Sequence, residues 1–335
     1  QKTYRMLIDA GPYQTYVDLR ERILSIPEDE RHFELFVITH IDADHIEGAV
    51  RLLQDKELNI TYGDIWFNGW DHLSREPVLG GPLGEYLTAL IKDQELPWNK
   101  AFDGKSIVVP DEGPLPVHEL SGGMKLTLLS PDWLRLEKLR PKWEREVEDA
   151  GLIPGKSKMA EEKLATVKRL QPILGDEVNM KELGSLPFKQ DTAAANGSSI
   201  AFLAEFDGLR GIFSGDAFPG VLVESLKRMS KTPSDKLALD FFKLPHHGSS
   251  ANVSPDLIDL VKCKQYIFSS NGALFEHPDQ EAVARVILHD KTSPLLCFNY
   301  NTEFNKWWKD KGLIKRHKYQ IRYPPKDKEG IVIEL

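Results

Sequence analysis

The sequence predicts a mixed α/β protein in which two sheets are covered by helices. Three observations carry that class. Short apolar runs of strand length recur along the chain, and segments of helical periodicity stand between them. The run 199–206 and the run 210–214 flank Asp207-Gly208, a hairpin signature that argues against one long parallel sheet. No apolar run approaches the roughly 18 residues that a membrane helix needs.

The elements follow in order. Met6 to Asp9 reads as a strand ended by the turn Gly11-Pro12, and Tyr16 to Ile26 has helical periodicity before Pro27. Phe33 to Ile38 is a buried strand by its composition, and 45–54 is a helix with Ile46, Ala49, Val50 and Leu53 on one face. Ile60 to Phe67, Ile107 to Val109 and Lys125 to Leu129 are further strands, the last two separated by Gly/Pro-rich turns. Ser130-Pro131-Asp132 starts a charged amphipathic helix from Trp133 to Ala150, stopped by Gly151. From Pro154 to about Gln190 apolar density falls, which predicts a flexible stretch or lid with one helix near Met159 to Leu170. After the hairpin come strands at 238–244 and 265–269, with helices at 255–261 and 280–289.

The chain has 335 residues, enough for one large domain or two smaller ones, with 41% hydrophobic and 28% charged residues, as in ordinary globular proteins. Its two cysteines, Cys263 and Cys297, sit in apolar segments and read as reduced core residues, not a disulfide scaffold. The absence of a signal peptide points to the cytoplasm, although the chain starts at Gln1 instead of Met. A net charge of −8 argues against a surface coated for nucleic acid. The charge is uneven, however: Lys306, Lys309, Lys311, Lys315, Arg316, Lys318, Arg322, Lys326 and Lys328 face only Asp310 and Asp327, with Trp307, Trp308, Tyr319 and Tyr323 interleaved. Such a run suits a phosphate backbone with stacked bases. The reading favoured here is a solvated C-terminal surface whose aromatics pack inward.

Chemistry concentrates at strand ends. His40-Ile41-Asp42-Ala43-Asp44-His45 puts two imidazoles and two carboxylates on a strand-to-helix turn, where side chains converge without commitment to a core. Imidazole nitrogen and carboxylate oxygen are ligands for divalent metals such as Zn²⁺ or Mn²⁺. Three more polar clusters each follow a predicted strand: Gly215-Asp216, then His246-His247-Gly248-Ser249-Ser250, then Asn271-Gly272 with Glu276-His277-Pro278. Each alone has a bland explanation in turn chemistry. Their succession after the first cluster makes a metal site the stronger reading.

That succession resembles the metallo-β-lactamase-fold hydrolases over most of the chain, from Leu7-Ile8-Asp9-Ala10-Gly11 to a final strand at 330–335. Within that superfamily it looks closest to the branch that contains the metallo-hydrolase domain of bacterial DNA-uptake competence channels. Members of the branch show a His-x-Asp-x-Asp-His motif where most relatives have His-x-His-x-Asp-His, together with Asn-x-x-Ser (Asn196 to Ser199 here), Gly-Asp, His-His-Gly-Ser and a later His-Pro. The resemblance implies a single domain over 1–335, a four-layer αββα sandwich with the site at one edge of its sheets. It also implies an opening strand upstream of residue 1 and a subfamily insertion at about 66–190. By the same resemblance Asp44 and His45 bind one metal with His247 or His246, Asp216 bridges two, and His40 with Asp42 binds the other. Asn196 or Ser199 occupies the region where many relatives carry a further His, so the His40 half-site is oxygen-rich and suits Mn²⁺ as an alternative to one or two Zn²⁺.

The function implied is metal-dependent hydrolysis, foremost of a phosphodiester in DNA or RNA, through a metal-activated hydroxide at a one- or two-metal site. Asp44 orients the water, while His246 and His277 donate a hydrogen bond or a proton. Asn196, Ser199, Ser249 and Asn271 are candidate substrate contacts. Two other readings stand beside it. One is hydrolysis of a small ester, thioester or cyclic nucleotide. The other is a metal-binding partner subunit of a larger DNA-handling or defence assembly, joined to a partner protein or an additional domain and with weak or no hydrolysis.

Overall fold

A computed structural model describes residues 3–73, 82–149, 184–230, 232, 235–273, 275–326 and 330–335. It is a mixed α/β structure with helices and a large mixed sheet. The chain divides into two compact units: 1–124, 131–166 and 193–200 form the first, and 125–130, 167–192 and 201–335 form the second.

In the first unit, β1 (Met6–Ile8), β3 (Leu35–Val37) and β5 (Ile65–Trp66) form a parallel sheet in the order β1-β3-β5, and β2 (His32–Phe33) pairs with β4 (Thr61–Tyr62). The apolar run 33–38 is thus two strands instead of one. The break falls at Glu34, whose N–H donates to the Arg5 carbonyl and whose own carbonyl accepts from Asp64 N–H. Gly63 permits the switch of partners, because a Cβ there would stand 2.6 Å from the Glu34 carbonyl oxygen. Helices α1 (Tyr16–Leu24), α2 (Ala43–Gln54), α3 (Pro82–Asp93) and α4 (Trp133–Asp149), with the short α5 (Ala194–Gly197), complete the unit. Parallel strands need a crossover, and α1 and α2 supply the two that link β1, β3 and β5. Ile23, Phe36, Ile46, Val50, Leu53 and Leu87 are among the residues of one buried apolar cluster.

The segment 107–109 forms no strand. The Asn68 side-chain amide takes both backbone groups of Ile107, accepting from its N–H and donating to its carbonyl, each at 2.8 Å. Val109 makes only an isolated bridge to Asp132, and a short strand, β6 (Val117–Glu119), follows. Helix α4 runs through Pro141, and its predicted end at Ala150 lies outside the described residues. The expected helix at 159–170 and most of the flexible stretch, 154–183, lie outside them too.

The second unit holds a sheet in the order β13-β12-β11-β10-β9-β8-β7: β7 (Lys125–Ser130), β8 (Ala201–Phe206), β9 (Leu209–Phe213), β10 (Leu237–Lys243), β11 (Val261–Phe268), β12 (Leu295–Phe298) and β13 (Gln320–Arg322). The predicted hairpin is β8-β9, antiparallel about Asp207 (φ 49°) and Gly208 (φ 79°), the pair of positive φ angles that a two-residue turn requires. From β9 to β13 every pairing is parallel and sequential. The connections contain α6 (Pro219–Met229), α7 (Pro255–Asp259), α8 (Gln280–His289) and α9 (Lys311–His317). Right-handed crossovers that all step the same way place these helices on one face of the sheet. The expected strand at 330–335 is not formed, and β13 is the last strand: Gly330 N–H turns back to donate to the Asn299 carbonyl. Among the described residues no helix is long and apolar enough to cross a membrane.

Candidate metal-ligating site

The first unit gathers its candidate ligands at the C-terminal ends of β1 and β3. These strands are parallel neighbours, so Asp9 and the turn 39–45 leave the sheet side by side. Asp9 adopts a left-handed backbone (φ 54°), a conformation Asp tolerates better than most residues. Its Oδ1 accepts Thr39 N–H at 2.8 Å, and its Oδ2 accepts the Thr39 hydroxyl at 2.9 Å and His45 Nδ1–H at 2.7 Å. With its proton given to Asp9, the Thr39 hydroxyl faces His40 Nδ1 at 3.0 Å as an acceptor. An acceptor at each Nδ1 favours the Nδ1–H tautomer, the one in which a histidine binds metal through Nε2. Burial alone would raise the Asp9 pKa, but His45, His40 and the Thr39 N–H outweigh it and hold the carboxyl below its ordinary range.

The two rings lie 4.2 Å apart between centroids. His40 Nε2 stands 3.7 Å from Asp42 Oδ2, and His45 Nε2 stands 3.8 Å from Asp44 Oδ2. These separations exceed a hydrogen bond. They approach the roughly 3.4 Å between two ligands that each sit 2.0–2.2 Å from one tetrahedral ion. Asp42 occupies the N-cap position of α2, yet its side chain makes no cap hydrogen bond and turns to His40 instead. Burial pushes the Asp42 pKa up, but His40 and Lys142, whose Nζ is 3.9 Å from Asp42 Oδ1, bring it below the ordinary value.

The second unit repeats the logic at the ends of β9, β10 and β11. Gly215 (φ 49°) turns the chain after β9 so that Asp216 is buried, and its carbonyl accepts His246 N–H at 3.1 Å. His246 (φ 48°) and His247 (φ 55°) are consecutive left-handed residues followed by Gly248 (φ 88°). Such backbone is costly for non-glycine residues and persists where the surroundings over-determine it, often at functional sites. Three bonds do so here. His247 Nδ1–H donates to the Ser269 carbonyl at 2.6 Å, His246 Nδ1–H donates to Asn252 Oδ1 at 2.9 Å, and Ser249 N–H closes the turn on the His246 carbonyl at 2.7 Å. Asp216 Oδ2 then lies 3.7 Å from His246 Nε2 and 4.0 Å from His247 Nε2.

The two histidines differ electrostatically. Burial would lower the His246 pKa, but Asp191, Asp216 and Asn252 together push it up to about 9. His246 therefore offers N–H groups at neutral pH. His247 is tied at Nδ1 to the neutral Ser269 carbonyl, which turns its Nε2 towards Asp216. His277 packs against the His246 ring at 5.2 Å and is oriented by Asp279, whose Oδ1 accepts from Nδ1 at 2.8 Å. Asp279 Oδ2 also accepts Ser250 N–H, linking the His277 loop to the His-His loop.

The side chains that could hold a metal ion include His40, Asp44 and His45 in the first unit and Asp216 and His247 in the second. The remaining expected site residues have other placements. Asn196 and Ser199 are buried on α5 and at its exit, and the next residue, Ile200, donates its N–H to the Thr39 carbonyl at 2.9 Å. Ser249 Oγ accepts Ala251 N–H at 3.3 Å, and the exposed Asn271 Oδ1 accepts Ala273 N–H at 2.9 Å, so both perform local turn chemistry. Sequence reasoning missed Asp9, Asn252, Asp191 and Asp279 as orienting groups. Asp9 carried a usable signal, an acid directly after a strand, the same pattern as Gly215-Asp216. Asn252 and Asp191 carried none, because 61 residues separate partners that meet through one 3.1 Å hydrogen bond. No protein-family model and no curated protein matches the chain.

Proposed function

We propose that this protein is a metal-dependent hydrolase of the metallo-β-lactamase type, with the αββα sandwich of that fold, acting on phosphodiesters. His40, Asp42, Asp44 and His45 of the first unit and Asp216 and His247 of the second are its ligands. The observation that carries this reading is the shared orientation of His40, His45 and His247: each Nδ1 is engaged by an oxygen acceptor, and each Nε2 faces a carboxylate, of Asp42 at 3.7 Å, Asp44 at 3.8 Å and Asp216 at 4.0 Å respectively. Incidental histidines on solvated turns have no reason to share that arrangement. The donor set, imidazole nitrogen with carboxylate oxygen, fits Zn²⁺ and, at the oxygen-rich pair His40 and Asp42, Mn²⁺.

A divalent ion there supplies Lewis-acid polarisation of the phosphoryl oxygen and an acidified water. The chain supplies the rest. Asp44, on the first turn of α2, accepts a hydrogen bond from the attacking water and orients it. His246 donates an N–H to a non-bridging oxygen, where negative charge grows in the transition state. His277, held by Asp279, delivers a proton to the leaving oxygen.

Zinc and manganese content measured on protein purified without chelator, with hydrolysis of bis-p-nitrophenyl phosphate, tests the reading. The expected result is at least one bound ion per chain and turnover that Asp44→Ala lowers by about 100-fold or more. Absence of bound metal overturns the reading, and unchanged turnover in Asp44→Ala refutes the role of that residue.

A further inference from the structure

The C-terminal run of cations is a feature the ligand chemistry does not use. Eight of its nine Lys and Arg are described, and all eight are exposed. Among the described residues none of the eight takes part in an ion pair. Asp310 caps α9, accepting Leu313 N–H at 2.8 Å, so its carboxylate is committed to the helix. The aromatics that alternate with the cations face the other way. Trp308 and Tyr319 are buried, Tyr323 stacks on Phe298 and donates its hydroxyl to the Asn305 carbonyl, and Trp307 Nε1–H donates to the Phe304 carbonyl.

Topology spreads these charges along the sheet edge. Lys306 and Lys309 follow the C-terminal end of β12, the same edge of the sheet from which the Asp216, His246 and His277 loops leave. Because β13 is parallel to β12, α9 must carry the chain back to the opposite edge before β13 starts. Lys315, Arg316 and Lys318 therefore stand near the start of β13, and Arg322 and Lys326 return towards its end. Protection of a sheet edge by charge explains Arg322 alone, the one cation on the strand itself. The helix α9 spans about 10 Å. A small phosphodiester neutralises one or two such charges, whereas duplex nucleic acid presents one negative charge per about 1.7 Å of axis.

We infer that the outer side of the sheet built by α9 and β13, residues 306–326, docks the phosphate backbone of a nucleic acid, without stacking its bases. This deepens the phosphodiesterase reading by assigning it a polymeric substrate, but docking is measured without turnover. Fluorescence anisotropy of labelled single-stranded and duplex DNA of about 30 nucleotides, in EDTA and from about 50 to 200 mM salt, reads it directly. The full chain binds both forms irrespective of base composition. The triple variant Lys309→Glu, Lys315→Glu, Arg316→Glu binds at least about tenfold more weakly, with a log–log salt slope shallower by about two to three. A second variant with Gln at the same three positions, checked by circular dichroism, gives the same direction without reversing charge near the α9 terminus. Both variants keep the wild-type rate on bis-p-nitrophenyl phosphate. Unchanged affinity and slope in both overturns the inference, as does binding to anionic lipid vesicles but not to DNA. DNA binding without any phosphodiester hydrolysis leaves the docking edge standing and removes the hydrolase reading.

Discussion

Asp9 shows how much a single carboxylate can organise. It accepts three hydrogen bonds, two from Thr39 and one from His45, and through the Thr39 hydroxyl it also sets the tautomer of His40. Asp9→Asn keeps the shape but replaces one acceptor oxygen with a donor, so one of these bonds turns repulsive. Metal affinity is expected to fall by about 10–100-fold with the fold retained, read by competition against a chromogenic chelator. An unchanged affinity would show that the His45 ring is held by packing alone. Asn252 plays the matching part in the second unit: its Oδ1 accepts from His246 while its Nδ2 donates to Asp191 and to the Asp216 carbonyl. His40, Asp42, Asp44 and His45 were legible as ligand types because their chemistry is written in their identity. The orienting residues were not, since Asp and Asn serve turns and caps far more often than imidazoles.

At the scale of elements, α2 is docked through backbone. Gly48 N–H donates to the Gly11 carbonyl at 2.9 Å, and Ala10 N–H donates to the His45 carbonyl at 3.2 Å. A Cβ at Gly48 would stand 2.1 Å from the Ala10 carbonyl oxygen, a rigid neighbour. Gly48→Ala is therefore expected to cost about 1–3 kcal/mol or more in denaturant unfolding and to weaken metal binding as well, because His45 moves with the helix. Loss of stability without loss of metal affinity would uncouple the two. The other end of α2 is pinned to α1: Asp55 accepts from Arg20 at 2.7 Å and from the Tyr16 hydroxyl at 2.8 Å. Burial raises the Asp55 pKa, but these partners win and depress it below 3.8. A depressed carboxyl stabilises the fold above its unfolded value and loses that contribution as pH falls through the folded value. Asp55→Asn should thus melt lower than wild type at neutral pH, with the gap closing below about pH 3.8, as thermal scans would reveal. A gap that persists at low pH would assign the effect to packing. Periodicity located α1, α2 and α8 within two or three residues of their ends. It misread 33–38 and 60–67, each of which is two short strands in different sheets, and 107–109 and 330–335, because strand pairing depends on which backbone or side chain offers partners.

At the scale of the molecule, the described residues form two units, each with buried apolar residues and with candidate ligand loops at parallel strand ends. Both cysteines lie in the second unit, in β11 and β12, and are free and buried. Burial pushes the Cys297 thiol up to about 11 and the Cys263 thiol higher still. Ellman's reagent at about pH 8 should find neither in the native protein and both in denaturant, so their reaction rate reports opening of the second unit. Rapid native reaction of either would contradict the packing of β11 and β12.

By itself the sequence determined the mixed α/β class, the β8-β9 hairpin and the ligand types at four strand ends. These rest on local chemistry: apolar periodicity, the left-handed freedom of Asp-Gly, and the donor atoms of His and Asp. Only the tertiary structure decided which acceptor engages each imidazole, which buried groups raise the His246 pKa, and which of the C-terminal side chains face water. Those outcomes depend on acceptors and buried charges brought from distant parts of the chain, and no local pattern records them.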